Sequence, residues 1–242
     1  MTPKIDCFIE YLNELESSLA FLTETWLPDS TELTNDIKDL ETGTGYGLLC
    51  KNRLPNSRGY STVGVALAFK KSQIEFTELS FPGNEYEILF ASGTMPMFTR
   101  KFIAICVYLP PSMSTAMAML AMLFLVDALL EIKCQFKDPF IALSGDFNNH
   151  DIEKYLEDYP DLVLLLTGPT RGGSTLDKIF TNFSDNIFVL GTITPLEWDD
   201  PSTGRPSDHR VVHCSAKLER YEAYEWMNYS YTKQTQTNES VC

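Results

Sequence analysis

Histidine and positive charge are scarce in this chain of 242 residues: three His, and 19 Lys and Arg against 33 Asp and Glu, for a net charge of −14. Gripping nucleic acid by bulk electrostatics takes a surplus of Lys and Arg, so that kind of surface is disfavoured. Phosphate engaged through a divalent cation held by carboxylates remains open. The six cysteines (Cys7, Cys50, Cys106, Cys134, Cys214, Cys242) form no C-x-x-C pair and no cluster. That argues against a zinc site or a disulfide scaffold and reads as a reduced, intracellular protein. No basic segment followed by an apolar core stands in "MTPKIDCFIEYLNE", so no secretory signal is expected. The longest uncharged apolar run, "TAMAMLAMLFLV" (115–126), falls short of the roughly 20 residues a membrane span needs, and no Lys- or Arg-rich face accompanies it. A membrane is therefore not among the expected partners. No internal repeat occurs.

What is present is a globular composition, 44% apolar and 21% charged, enough for one large α/β core. Ile5, Phe8, Ile9, Leu12, Leu15 and Leu19 recur at helical spacing, with Thr2 and Pro3 as cap and first helical position. Strands are expected at 19–24, 46–51, 62–70, 73–81, 86–92 and 101–108, with hairpins around "KKSQ" (70–73) and "FPGNE" (81–85). A helix follows from about Ser114 to Lys133, capped by Ser112 or Ser114. It is expected to be buried on most sides, with Met113, Met117, Met119 and Met122 as adaptable fillers. Strand signals resume at 140–145, 162–166, 176–181, 187–193 and 210–217, with a short helix at 151–158. Few helices among many short strands imply mixed sheets packed together with helices outside. Beyond about residue 219 the chain is polar and aromatic without periodicity, so residues 1–218 read as one domain and 219–242 as a tail or linker.

Polar residues gather at the strand ends. In "ALSGDFNNH" (142–150) an apolar strand runs into a glycine, then Asp146, Phe147 and Asn148. Residues two apart in an extended segment share a face, which points Asp146 and Asn148 together and Phe147 into the core. A carboxylate beside an amide can orient a water and bind a phosphate oxygen; an Asx turn closing the strand accounts for the same residues. Asp177 lies in "TLDKIF" with Lys178 on the alternate face, and period alone does not say which is buried. "PSDHR" (206–210) sets Asp208 and His209 behind Ser207 at the entry to another strand. With Glu24 in "FLTETWLPDS" and Tyr108 closing "KFIAICVY", seven such groups lie at or near strand termini, where packed sheets can converge them on one cleft.

In chain order the motifs are T-E-T-W-L, V-Y-x-P-P, S-G-D-F-N, T-R-x-x-x-x-L-D-x-I-x-T-N and S-D-H. This order resembles the endonuclease/exonuclease/phosphatase superfamily, the group of DNase I and the apurinic endonucleases. G-D-F-N and S-D-H are common to that superfamily, whereas "FLTETWLPD" and "LDKIFTN" are similar to the endonuclease domains of non-LTR (LINE-type) retrotransposons. The resemblance covers roughly residues 4–218. It implies a four-layered α/β sandwich, two mixed β-sheets face to face with helices outside, and Mg²⁺-dependent phosphodiester hydrolysis, Mn²⁺ serving as a substitute, on a DNA substrate in the nucleus. Under it Glu24 binds the metal with Asp208 as a second carboxylate, Asp146 activates the attacking water and Asn148 holds a phosphate oxygen. Tyr108 lies beside the phosphate and leaving group, His209 contacts the scissile phosphate and Asp177 pairs with it. Thr170 and Ser207 line the phosphate pocket. A hard cation on oxygen ligands offsets charge on the transition-state phosphate, and a histidine held by a carboxylate adds a positive donor.

The resemblance further implies a reverse-transcriptase domain in a parent polyprotein, which this chain does not contain, and a leading strand whose Asn helps bind the metal. The chain opens at "MTPKID", so that first strand is expected to be missing. A DNA-nicking endonuclease is the leading expectation. The alternatives are a superfamily phosphatase acting on phosphoinositides or small phosphates, and a catalytically silent, truncated remnant serving as a binding module. The core motifs do not separate them.

Overall fold

The computed structural model describes residues 12–13, 17–25, 43–52, 64–96, 99–165, 169–171 and 173–182, and from 188 to 218 the backbone of six short strands. Strands β1 (Leu19–Leu22), β2 (Tyr46–Asn52) and β3 (Gly64–Lys70) form an antiparallel sheet in the order β1-β3-β2. The second sheet contains β4 (Glu75–Leu79), β5 (Ile88–Thr94), β6 (Phe102–Tyr108), β7 (Phe140–Asp146), β8 (Val163–Leu164) and β9 (Asp177–Thr181). Its order is β4-β5-β6-β7-β9-β8, and only β6 and β7 run parallel. A parallel pair needs a long crossover. Here it is helix α1 (Thr115–Gln135), begun by Ser114, whose side chain accepts the Met117 N–H at 3.3 Å.

The unbroken apolar run of β6 is explained by burial on both faces. Ile103, Ile105 and Val107 pack under α1, while Phe102, Ala104, Cys106 and Tyr108 face the first sheet. There they meet Val65, Leu67 and Phe69 of β3, with Phe69, Phe76 and Phe102 in successive edge-to-face contacts at 5.3 and 5.9 Å. On the far side of the first sheet, helical Leu12 is buried with Tyr46 and Ala68, and the Tyr46 hydroxyl donates to Ser17 O at 2.6 Å. The layers therefore run helix, sheet, sheet, helix: a four-layered α/β sandwich.

Four expectations are corrected. The hairpin expected around 70–73 is a corner between the sheets, because β3 pairs in the first sheet and β4 in the second. α1 buries one stripe only, Ala118, Ala121, Met122, Leu125, Ala128, Leu129 and Ile132. Met122 is in the core, but Met117 and Met119 stay 46% and 44% exposed, because a helix laid on a sheet hides a single face. Full burial of Leu129 contributes about 2 kcal/mol. By length and composition α1 could cross a bilayer, yet that stripe is packed on β-sheet. The helix expected at 151–158 shrinks to one 3₁₀ turn, Glu153–Tyr155, since Ile152, Leu156 and Tyr159 are drawn into the core and Pro160 follows. The single strand expected at 210–217 is two. Counting on, the backbone strands are β10 (Phe188–Leu190), β11 (Thr194–Leu196), β12 (Asp199–Asp200), β13 (Arg205–Pro206), β14 (Val211–His213) and β15 (Ala216–Leu218). β14 pairs β11, β15 pairs β10 and β12 pairs β13, all antiparallel. Most of the helix expected over 5–19 and all of the tail at 219–242 lie outside the described residues.

Candidate active site

The chain brings five strand ends to one edge of the sandwich. Thr25 N donates to Gly64 O at 3.1 Å, tying the end of β1 to the start of β3. In the second sheet Tyr108 lies beside Asp146 in the β6–β7 register, and Asp146 beside Asp177 in the β7–β9 register. Tyr108 and Asp146 take the inward side of their strands, the side that carries Cys106 and Ala142 into the core between the sheets.

Glu24 reaches this edge from the other sheet. Its backbone turns left-handed (φ 53), an uncommon state for a non-glycine residue, directly after β1. The Tyr108 hydroxyl donates to Glu24 Oε1 at 2.5 Å, a contact across 84 residues of sequence. Burial, reinforced by that hydrogen bond and the charges of Glu24, Asp146 and Glu87, pushes the phenol well above its usual range. Tyr108 is thus a neutral hydrogen-bond donor.

Asp146 and Asn148 meet by a different route. Gly145 lets β6 and β7 approach so closely that a Cβ there would stand 1.8 Å from Val107 O. Asp146 follows, 2% exposed, and Phe147 is fully buried, as strand alternation requires. Asn148 then leaves the strand with φ 48, so its approach to Asp146 comes from a turn and not from alternation. Asn148 N donates to Asp146 Oδ1 at 2.8 Å, and Nδ2 donates to Leu109 O at 2.8 Å and to Asp146 Oδ2 at 3.2 Å. The Asx turn and the carboxylate–amide pair are one structure. Both amide hydrogens are engaged, so donation to a phosphate oxygen requires release of the longer bond.

Thr170 is fully buried, and its Oγ1 accepts the N–H groups of Leu176 at 3.0 Å and Asp177 at 3.1 Å. It holds in place the turn that delivers Asp177. Ser207, Asp208 and His209 lie outside the described residues. Glu87, not among the residues expected from the sequence, is 4% exposed, and its charge acts on Tyr108. Its signal was present: Glu87 stands two residues before Leu89, so the period of two aims it inward. A groove of about 560 Å³ lined by Lys71, Thr94, Lys101 and Phe136 sits at the opposite edge of the second sheet, remote from these carboxylates.

Among the described residues no three His, Cys, Asp or Glu side chains come close enough to enclose a metal by themselves. Glu24 and Asp146, both acting on Tyr108, present hard oxygen donors. This suits Mg²⁺, which keeps several waters and takes one or two carboxylates plus a substrate phosphate. It does not suit a soft metal: burial pushes the Cys106 thiol up to about 12, so it stays protonated, donating to Leu22 O at 3.4 Å.

No protein-family model and no curated protein sequence matches the chain. Solved structures do. A mannosyl-6-phosphatase of Bacteroides thetaiotaomicron is 12% identical with a TM-score of 0.64, covering 89% of this chain and 91% of that one. TDP2 of D. rerio, complexed with a single-strand DNA product, is 14% identical with a TM-score of 0.60, covering 89% and 92%. The endonuclease domain of TRAS1, a telomere-specific non-LTR retrotransposon, is 12% identical with a TM-score of 0.58, covering 90% and 94%. The two large sheets of this chain, its crossover helix and these likenesses, with a further one to an endonuclease/exonuclease/phosphatase of Bacteroides vulgatus, establish that the chain has the endonuclease/exonuclease/phosphatase fold, the DNase I-like α/β sandwich.

Proposed function

We propose that this chain is a divalent-metal-dependent phosphodiesterase that nicks DNA. The observation that carries the reading is the convergence of Glu24, Tyr108, Asp146 and Asn148 at one edge of the sandwich, from two different sheets. Glu24, with Asp208, would hold Mg²⁺, or Mn²⁺ in its place. When bound, the cation supplies positive charge against the developing negative charge on the phosphate. Asp146 orients the attacking water and takes its proton. Asn148, once its bond to Asp146 Oδ2 opens, donates to a phosphate oxygen. Tyr108, kept neutral, donates beside the leaving oxygen once its single O–H leaves Glu24 Oε1. His209, oriented by Asp177, adds a donor to the scissile phosphate, Ser207 a hydroxyl, and Thr170 steadies Asp177 from below.

Support for DNA as substrate comes from the likeness to the TRAS1 endonuclease domain and to TDP2 with its DNA product. The likeness to a mannosyl-6-phosphatase favours a second reading, a phosphatase acting on small phosphates, since the fold serves both chemistries. The test is nicking of supercoiled plasmid with Mg²⁺ or Mn²⁺, alongside phosphate release from a panel of phosphomonoesters. Nicking by the wild type that EDTA and His209→Ala each abolish is the expected result. Nicking that survives EDTA, or is equal in the variant, sinks the assignment. Phosphate release without nicking selects the phosphatase, and a folded protein with neither activity selects the silent binding module.

A further inference from the structure

A lysine projects into the acidic mouth between the two sheets. Lys51 lies opposite Val65 in the β2–β3 register, and Val65 is fully buried on the face that meets the second sheet. Leu49, two residues earlier, packs on that same core. The Lys51 ammonium crosses to the other sheet, where Nζ donates to Asn84 O at 3.1 Å in the β4–β5 connection. Glu78 of β4 is close enough to act on its charge. Asn84 Nδ2 donates to the carbonyl of Ile88, the first residue of β5, at the end where Ile88 pairs Val107 beside Tyr108 and Asp146. Asn52 pairs Gly64, which Thr25 also bonds, so Lys51 lies at the same edge of the sandwich as Glu24 and the ends of β6 and β7.

We propose that Lys51 is a substrate-binding residue that takes a DNA phosphate next to the scissile one, an inference that rests on the nuclease reading above. An ammonium has three donors, and Asn84 O uses one. Partial burial, opposed by Glu78, lowers its pKa to about 8, so it is predominantly cationic at neutral pH and incompletely hydrated. Both properties favour exchange of water for a phosphate oxygen. Position sets which phosphate. β2 and β1 are separated by β3, so two strand spacings of ~4.8 Å put the backbone of Lys51 about 10 Å from the β1 end that carries Glu24, and its side chain leads away from Glu24 toward the β4–β5 connection. A group at that distance meets a neighbouring phosphate of a polymer and nothing in a small ester. In a chain of net charge −14 such a cation gives the polyanion a foothold inside the cleft.

The test compares wild type, Lys51→Gln and Lys51→Arg on plasmid DNA and on bis(p-nitrophenyl) phosphate, a diester that fills only the scissile position. Lys51→Gln is expected to raise KM for DNA roughly five-fold and to flatten its salt dependence by about one unit of log–log slope. Lys51→Arg should restore both, and turnover of the small diester should change less than two-fold in either variant. An unchanged KM and salt slope for DNA overturns the assignment. Equal losses on both substrates also overturn it, since they mean that Lys51 only braces the β4–β5 connection. Should the wild type cleave neither substrate, the nuclease reading falls separately. Lys51 is then judged by the dissociation constant of a fluorescent duplex oligonucleotide with Ca²⁺, and equal values for wild type and Lys51→Gln overturn its role.

Discussion

Asp146 and Asn148 stand two residues apart and meet through a turn; Glu24 and Tyr108 stand 84 residues apart and meet only because two sheets close on each other. The first pair is formed by short-range geometry, a carboxylate that accepts the Asn148 N–H groups, and is then steadied from β6, where Val107 crowds Gly145 and Leu109 O takes the amide. The second is secured by the inter-sheet core, with the Cys106–Leu22 contact just beneath it. A site divided in this way is half local motif and half tertiary fit. Damage to the core should loosen the glutamate before it loosens the aspartate.

Perturbations of each half should separate them. The largest effect is expected for Asp146→Asn, which keeps the turn bond from Asn148 N but removes the base: the nicking rate should fall by about 10³, while the donor now facing Asn148 Nδ2 costs only about 1–2 kcal/mol of stability. A similar melting temperature with intact nicking would remove Asp146 from the chemistry. Next comes Gly145→Ala. The added methyl meets Val107 O, so β6 and β7 must part at the active edge. A loss of about 3 kcal/mol in urea unfolding is expected, and an unperturbed transition would show that the strands give way freely.

Glu24→Gln tests the long-range half. Nicking should drop about 10²-fold. The Tyr108 phenol should also become easier to ionise, because the Glu24 hydrogen bond and charge both raise its pKa. Ultraviolet titration of tyrosinate reads that fall directly, and a wild-type titration curve would break the proposed coupling. The smallest effect belongs to Thr170→Val, which keeps the shape but strips the acceptor from two buried N–H groups. A stability loss of about 1–2 kcal/mol and a nicking loss under tenfold are expected, both measurable against Asp177→Asn.

Legibility from the sequence followed the same division. G-D-F-N reads either as a turn or as a carboxylate–amide pair, and it is a turn that makes the pair; strand alternation buries Phe147 and ends at Asn148, where the backbone turns left-handed. Most strands were legible from their apolar runs. β14 and β15 were not separable, because their partners, β11 and β10, are chosen by distant pairing. α1 was legible as a helix, but not the side it would show to solvent: Met117, Met119, Leu120 and Leu123 are as apolar as the residues it buries. Glu87 and Lys51 escaped notice because a charge beside a strand ordinarily marks a solvated face, and only the stacking of a second sheet turns that face inward.

Local matters follow from the sequence alone: the position of most strands, the residues that punctuate them, and the turn that brings the Asn148 N–H back to Asp146. Those follow from backbone sterics and from hydrogen bonds a few residues long. The tertiary structure alone decided that Glu24 would meet Tyr108, that Glu87 would be buried, and that Lys51 would reach across to Asn84. Each depends on which faces of two sheets are removed from water together, and that choice is made by the whole core at once.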